Sequence, residues 1–268
     1  MNVSPNGVSA PTVTRLFTTP IKGFSLGQPD SVTLGRTGAV GDRDFFVIDS
    51  NQELLSITKT GAFGGWHSQF DRDQGVLTLV SSDGRVLEDK VVRGPEVVVD
   101  FWESHEVPGH IVGGPWSAWL SEIAGQSVNL VRAAEPGGAN DVTAVTVVSE
   151  ETVAELGRAT NTESIDIRRF RMLINLAGVD AYEEETWRPA TARIGSALLQ
   201  MRGPVPRCNA TTRNPDTGVK DLKTLRLIAE GRGMQPDEFG EEGLNLGAYA
   251  DVVEPGVISV GDRVTLLR

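Results

Sequence analysis

The chain is poor in the side chains that usually hold metals or staple small folds. Its 268 residues include one cysteine, Cys208, and three histidines, His67, His105 and His110. One cysteine cannot close a disulfide within the chain, build a C-x-x-C zinc site or supply four thiolates to an iron–sulfur cluster. The histidines are too few and too scattered to read as a metal site. Positive charge is scarce as well: Lys plus Arg number 25 against 36 Asp plus Glu, a net charge of −11. Such a chain has no general attraction for nucleic acid or anionic lipid, so neither is expected as a partner. No apolar run approaches the ~20 residues that a membrane-crossing helix needs. No basic residue precedes Arg15 and no apolar segment opens the chain, so no secretory leader is expected and the cytoplasm is the expected compartment.

What is present reads as a β-rich globular protein. Hydrophobic residues at 39% and charged residues at 23% favour a folded core over disorder. Short β-rich runs at 13–17, 31–34, 45–49, 54–58, 76–80 and 97–102 are separated by Gly, Asp, Asn and Ser clusters, as in a barrel or sandwich. A helix is expected over 115–124, with Trp116, Trp119, Leu120 and Ile123 on one stripe, Pro115 at its first position and Gly125 as its stop. Strands at 127–132 and 142–148 follow, then a helix capped by Ser149 and ended by Gly157. Strands at 172–177 and 193–202, a helix at 221–230 stopped by Gly231, and a strand pair broken at Gly261-Asp262 complete the reading. Residues 135–140 look like a linker. No G-x-G-x-x-G follows a strand, and the Gly-rich run 61–65 lacks the lysine of a nucleotide-binding loop. None of the five lysines can be surrounded by the partners of a pyridoxal Schiff base.

Two clusters could carry chemistry. Cys208 follows a proline-interrupted segment, which places it at a strand end, and Arg202, Arg207 and Arg213 flank it in sequence. Guanidinium charge favours a thiolate, the form that attacks or binds metal, although a lone cysteine is also often an inert core residue. Arg168, Arg169 and Arg171 fall within four residues, and arginine forks suit a phosphate. The plainer alternative pairs them with the glutamates at 183–185.

Taken in order, the P-x-K at Pro20–Lys22, G-x-x-G-D-R at Gly38–Arg43, R-R-F-R at Arg168–Arg171, R-C-x-x-T-T-x-x-P-x-T-G at Arg207–Gly218 and V-G-D at Val260–Asp262 resemble the MOSC family with its N-terminal β-barrel, and within it the amidoxime-reducing components. The resemblance implies a mostly β (α+β) protein: an N-terminal β-barrel-like domain over 1–125, packed on a C-terminal MOSC β-barrel over 126–268 with a few short helices. It implies a molybdenum cofactor (molybdopterin) whose metal is ligated by Cys208. Lys22, Arg43 and Arg171 would hold its phosphate and pterin, with Gly23, Asp141, Thr143, Pro206, Arg207 and Tyr249 alongside. Thr211 and Thr212 match the family's threonine pair. Gly23 stands where serine is usual, Met172-Leu173 where proline–asparagine is usual, Pro206 where a polar residue is common, and Ala144 where proline is usual. The implied activity is oxidoreduction of N-hydroxylated or N-oxygenated small molecules. Because the chain has no flavin, nicotinamide or iron–sulfur motif and closes after its V-G-D strand pair, a separate flavin or iron–sulfur electron donor is expected. The alternatives are a sulfur carrier using a Cys208 persulfide and a non-catalytic cofactor carrier.

Overall fold

A computed structural model describes residues 10–267. Most of the segment considered as a leader, residues 1–9, lies outside the described residues. The largest sheet has seven strands in the order Thr12–Leu16, Ile174–Ala177, Val145–Ser149, Asn245–Glu254, Ala197–Pro206, Thr191–Ile194 and Val264–Leu267. Neighbours are antiparallel except Val145–Ser149 beside Ile174–Ala177, and the helix Glu150–Ala159 lies between these two in the chain. The sheet curls until its edges meet: Thr12 bridges Arg263, and the Val264 N–H donates to the Pro11 carbonyl at 2.8 Å. The curl encloses a core that includes Leu16, Val147, Leu176 and Leu199.

A second sheet orders Phe45–Asp49, Val128–Ala133, His105–Gly113 and Val92–Phe101, and a third pairs Trp66–Asp71, Val76–Ser81 and Val86–Lys90. Main-chain pairing crosses the expected division after residue 125 in both directions. Val128–Ala133 pairs with Phe45–Asp49 and His105–Gly113, while Thr12–Leu16 pairs with Ile174–Ala177. The fold is mostly β, and the described residues hold three α-helices.

The helix caps follow local chemistry. Ser149 Oγ accepts from the Thr152 N–H at 3.0 Å, Glu150 and Glu151 occupy the positive first turn, and Gly125 takes the left-handed cap of the Trp116–Ala124 helix. Pro115 is the N-cap of that helix rather than its first residue. The helix after Ser149 runs through Gly157 to Ala159, since Gly157 keeps helical backbone. The third helix spans Thr224–Arg232 and stops at Gly233 instead of Gly231.

Other expectations need correction. Residues 54–58 form a turn with one bridge, Leu54 to Ile48, not a strand. The run expected at 193–202 is two strands folded at Gly195, whose φ is +55°. Strands Trp66–Asp71 and His105–Gly113 were not expected, because polar residues and Pro108-Gly109 interrupt their apolar pattern. Gly109 sits where a Cβ would approach the Val131 side chain to 2.9 Å, so its role is close strand packing rather than a break. Residues 135–140 are no linker. Ala139 is fully buried, and the Gly137 N–H donates to Asp44 Oδ1 at 3.0 Å. A Cβ on Gly137 would come within 2.9 Å of the Thr37 carbonyl, so this glycine also serves close approach.

Candidate functional site

The strand Ala197–Pro206 alternates buried and half-buried residues along its length, as a strand over a core must. Pro206 ends it, the Arg207 N–H still donates to the Leu244 carbonyl at 2.8 Å, and Cys208 then emerges as a free, exposed thiol. Three other segments converge on it. The chain after the first strand runs beside residues 43–45: Lys22 N–H donates to the Phe45 carbonyl at 2.8 Å and Arg43 N–H to the Thr19 carbonyl at 2.8 Å. Asp42 accepts from the Thr19 N–H at 2.7 Å and from the Arg43 guanidinium, while buried Asp44 holds Arg72 and Gly137. These flanking acids therefore fasten the turn that presents Arg43. The short turn Ile167–Phe170 is capped by Asp166 and ends at Arg171 in left-handed backbone.

The result is one cavity of about 350 Å³. Lys22, Gly23, Arg43, Asp141, Thr143, Arg171, Pro206, Arg207, Cys208 and Tyr249 all line it. Thr211 and Thr212 do not. Thr211 is buried, donates to the Cys208 carbonyl at 3.0 Å and shares a hydrogen bond with Thr224, so it pins the turn behind the cysteine.

Four cations face this cavity in a chain of net charge −11. Lys22 Nζ lies 2.8 Å from Asp141 Oδ1 and donates to the Ala139 carbonyl at 2.8 Å. Burial pushes the Lys22 ammonium down from its ordinary value, and Asp141 partly restores it. The surroundings raise Asp141 through desolvation, but the Lys22 charge and the Lys22 and Trp102 hydrogen bonds prevail and hold its carboxyl below the usual range. Arg171 Nη2 donates to the Phe24 carbonyl at 2.9 Å; burial, then repulsion from Arg43, lowers it to about 10. Arg207 donates to the Phe170 carbonyl at 2.6 Å and to Met172 Sδ at 3.4 Å, while its Nε is buried with no partner. Carbonyls cannot neutralise a guanidinium. Arg171 and Arg207 are thus fixed in place with their charge largely uncancelled. Tyr249 is pushed up to about 12 by burial, so its phenol stays protonated at neutral pH.

The arginine cluster at 168–171 splits. Arg168 is clamped between Asp166 and Asp216, Arg169 pairs with Asp221 at 2.8 Å, and only Arg171 enters the cavity. The glutamates at 183–185 do not pair with it; Glu185 binds Arg232 at 2.8 Å. Gly23 has φ +90°, which explains its glycine: a serine there would be strained. Sequence reasoning missed Ile57, Thr58, Trp102 and Met172 in the lining. Trp102 reaches it from a hairpin tip, through a hydrogen bond from Nε1 to Asp141 Oδ1 at 2.7 Å, and no local pattern signals that contact.

Residues 135–265 match the family model described as the MOSC domain. This stretch is a MOSC domain. The MOSC domain contributes Cys208, Arg207, Arg171 and Asp141 to the cavity, and Lys22, Gly23 and Arg43 come from the chain before it. Human mitochondrial amidoxime-reducing component 1 is 24% identical over 283 residues, covering 96% of this chain and 83% of its own. Human mitochondrial amidoxime reducing component 2 is 36% identical over a shorter stretch of 105 residues, 38% of this chain and 31% of its own. Human molybdenum cofactor sulfurase is 23% identical over 94% of this chain, which spans 32% of the sulfurase. Among the described residues no group of three His, Cys, Asp or Glu side chains could hold a metal ion, and no helix is long and apolar enough to cross a membrane.

Proposed function

We propose that this protein is a molybdenum-cofactor-dependent oxidoreductase that reduces N-hydroxylated or N-oxygenated small molecules. The observation that carries the reading is the exposed Cys208 thiol on a cavity walled by Lys22, Arg43, Arg171 and Arg207. The donor set suits the cofactor. A bare metal ion would find no group of three ligating side chains among the described residues, whereas a soft thiolate suits a metal whose other ligands travel with a pterin. Buried cations fastened by carbonyls suit its phosphate, and the Nε of Arg207 is left without a partner within the chain. Cys208 would hold the metal; Lys22, Arg43, Arg171 and Arg207 the anionic part; Gly23, Thr143 and Pro206 the wall. When bound, the group supplies two-electron redox chemistry.

The chain's own residues bind and orient. Reducing an N–OH group to N–H takes two electrons and two protons and releases water. Tyr249 keeps its Oη proton at neutral pH and offers a hydrogen bond without a negative charge. Asp141 holds the buried Lys22 ammonium in the cavity lining. A free thiol suits a reducing compartment, in keeping with the cytoplasm. With one cysteine in the chain, re-reduction falls to a separate flavin or iron–sulfur protein.

The test is expression in a cofactor-competent host, followed by molybdenum and pterin analysis and turnover of benzamidoxime. Reduced viologen is expected to support turnover, and NADH or NADPH alone is not. Sustained activity with a nicotinamide alone would overturn the separate donor. A molybdenum-free protein bearing a Cys208 persulfide would favour the sulfur-carrier reading, as the sulfurase similarity allows. Loaded protein without turnover under any reductant would favour a carrier.

A further inference from the structure

The hairpin joining Val92–Phe101 to His105–Gly113 turns through Trp102 and Glu103, whose φ values are +62° and +57°. Such left-handed turn positions favour Asn and Gly, and a bulky residue there is strained. The turn is fastened around the strain: Glu103 N–H donates to Asp100 Oδ2 at 2.9 Å and Ser104 N–H to the Phe101 carbonyl at 3.1 Å. The indole is not spent on a core. It is 46% exposed and borders the cavity, where its Nε1 is tied to the same Asp141 oxygen that holds Lys22. Val142, 49% exposed, and Ile57 are apolar residues lining the same cavity.

A strained turn that spends a tryptophan on a half-open cavity, with the ring's orientation set from across the fold, suits a recognition surface better than a packing one. We propose that Trp102 is a specificity-determining residue whose ring face stacks on a planar aromatic substituent of the substrate, so that aryl N-hydroxy compounds are preferred over alkyl ones. This rests on the reductase reading proposed above, with the substrate meeting the cofactor at the same cavity, and adds the class of compound it selects.

Calorimetric binding of benzamidoxime and of acetamidoxime to the cofactor-loaded protein tests it, with Trp102→Ala and Trp102→Phe alongside and molybdenum content measured in each. Wild type is expected to bind the aryl compound more tightly. Trp102→Ala should lose about five- to tenfold for benzamidoxime and under about twofold for acetamidoxime. Trp102→Phe, which keeps a ring face, should recover most of the difference. Equal losses for both compounds, no aryl preference in wild type, or a fall in molybdenum content with Trp102→Ala would each overturn the assignment, the last by placing the indole against the cofactor. Differential binding without turnover would leave Trp102 in this role and count only against the reductase reading.

Discussion

Arg43 donates through Nη2 to the backbone carbonyl of Arg171 at 3.1 Å, and both arginines hold left-handed backbone, with φ of +52° and +53°. Each such residue costs about 1–2 kcal/mol relative to a relaxed one. Two strained arginines in contact, with Arg43 raising the cost of the Arg171 charge, are unfavourable for stability and favourable for holding an anion. Arg171→Gly and Arg171→Ala both remove the guanidinium, so both should lose bound cofactor. They should differ in stability, the Gly variant unfolding about 1 kcal/mol later because it alone tolerates this φ. Urea unfolding of the two cofactor-free variants checks the strain, and equal stability would refute it.

Cys208→Ser should separate binding from folding. The side chain is exposed and packs in no core cluster, so stability should change by no more than about 0.5 kcal/mol. The molybdenum-to-protein ratio should fall close to zero, because a hydroxyl is a hard ligand where a soft one is needed. A variant that retains wild-type metal would remove Cys208 from the site.

The glycine-rich run at 61–65 serves the cavity indirectly. It lies against the turn at 214–218, so closely that a Cβ on Gly218 would fall on the Gly61 carbonyl. Arg213 locks the contact, donating to the Ile57 carbonyl at 2.5 Å and to the Gly218 carbonyl at 2.9 Å. Gly218, at φ +71°, has no substitute. Gly218→Ala should destabilise the protein by about 3 kcal/mol and free the loop that carries Ile57 and Thr58. Trypsin cleavage after exposed Lys59 should then accelerate well beyond any change at other sites.

Local chemistry was readable in the sequence wherever a signal lies within a few residues: the Ser149 cap, the Gly125 stop, the strand end before Cys208. The cavity residues were readable through motif order, since no single spacing brings Lys22, Arg43, Arg171 and Cys208 together. What escaped depends on distant partners. Glycines at 109 and 137 look like breaks but exist for close approach to Val131 and Thr37. Asp42 and Asp44 look like a turn's solvated acids, yet both are nearly buried and anchor backbone N–H groups of Thr19 and Gly137. Trp102 reaches Asp141 across 39 positions, and a strand-end aromatic carries no mark of that contact.

Glu184 gives the fold a pH dependence that can be measured apart from the cavity. It is fully buried, and its carboxylate accepts from the Ser149 N–H at 3.0 Å and the Thr152 hydroxyl at 2.8 Å, tying the end of one strand to the start of a helix. Burial raises its pKa to about 7, with the hydrogen bonds opposing and the neighbouring Glu185 adding to the rise. In the unfolded chain it titrates near 4.3. A carboxyl whose folded value is raised binds more protons folded than unfolded through this window. Its contribution is therefore complete below about pH 4, where both states are protonated, and is lost progressively as pH rises toward 7. Glu184→Gln keeps an acceptor oxygen for both donors and cannot ionise. The stability of the Gln variant relative to wild type should increase from pH 5 to pH 7.5, as read from paired urea titrations, by an amount on the order of 1–3 kcal/mol. A difference that stays constant with pH would mean that Glu184 is ionised in the folded protein across the whole range.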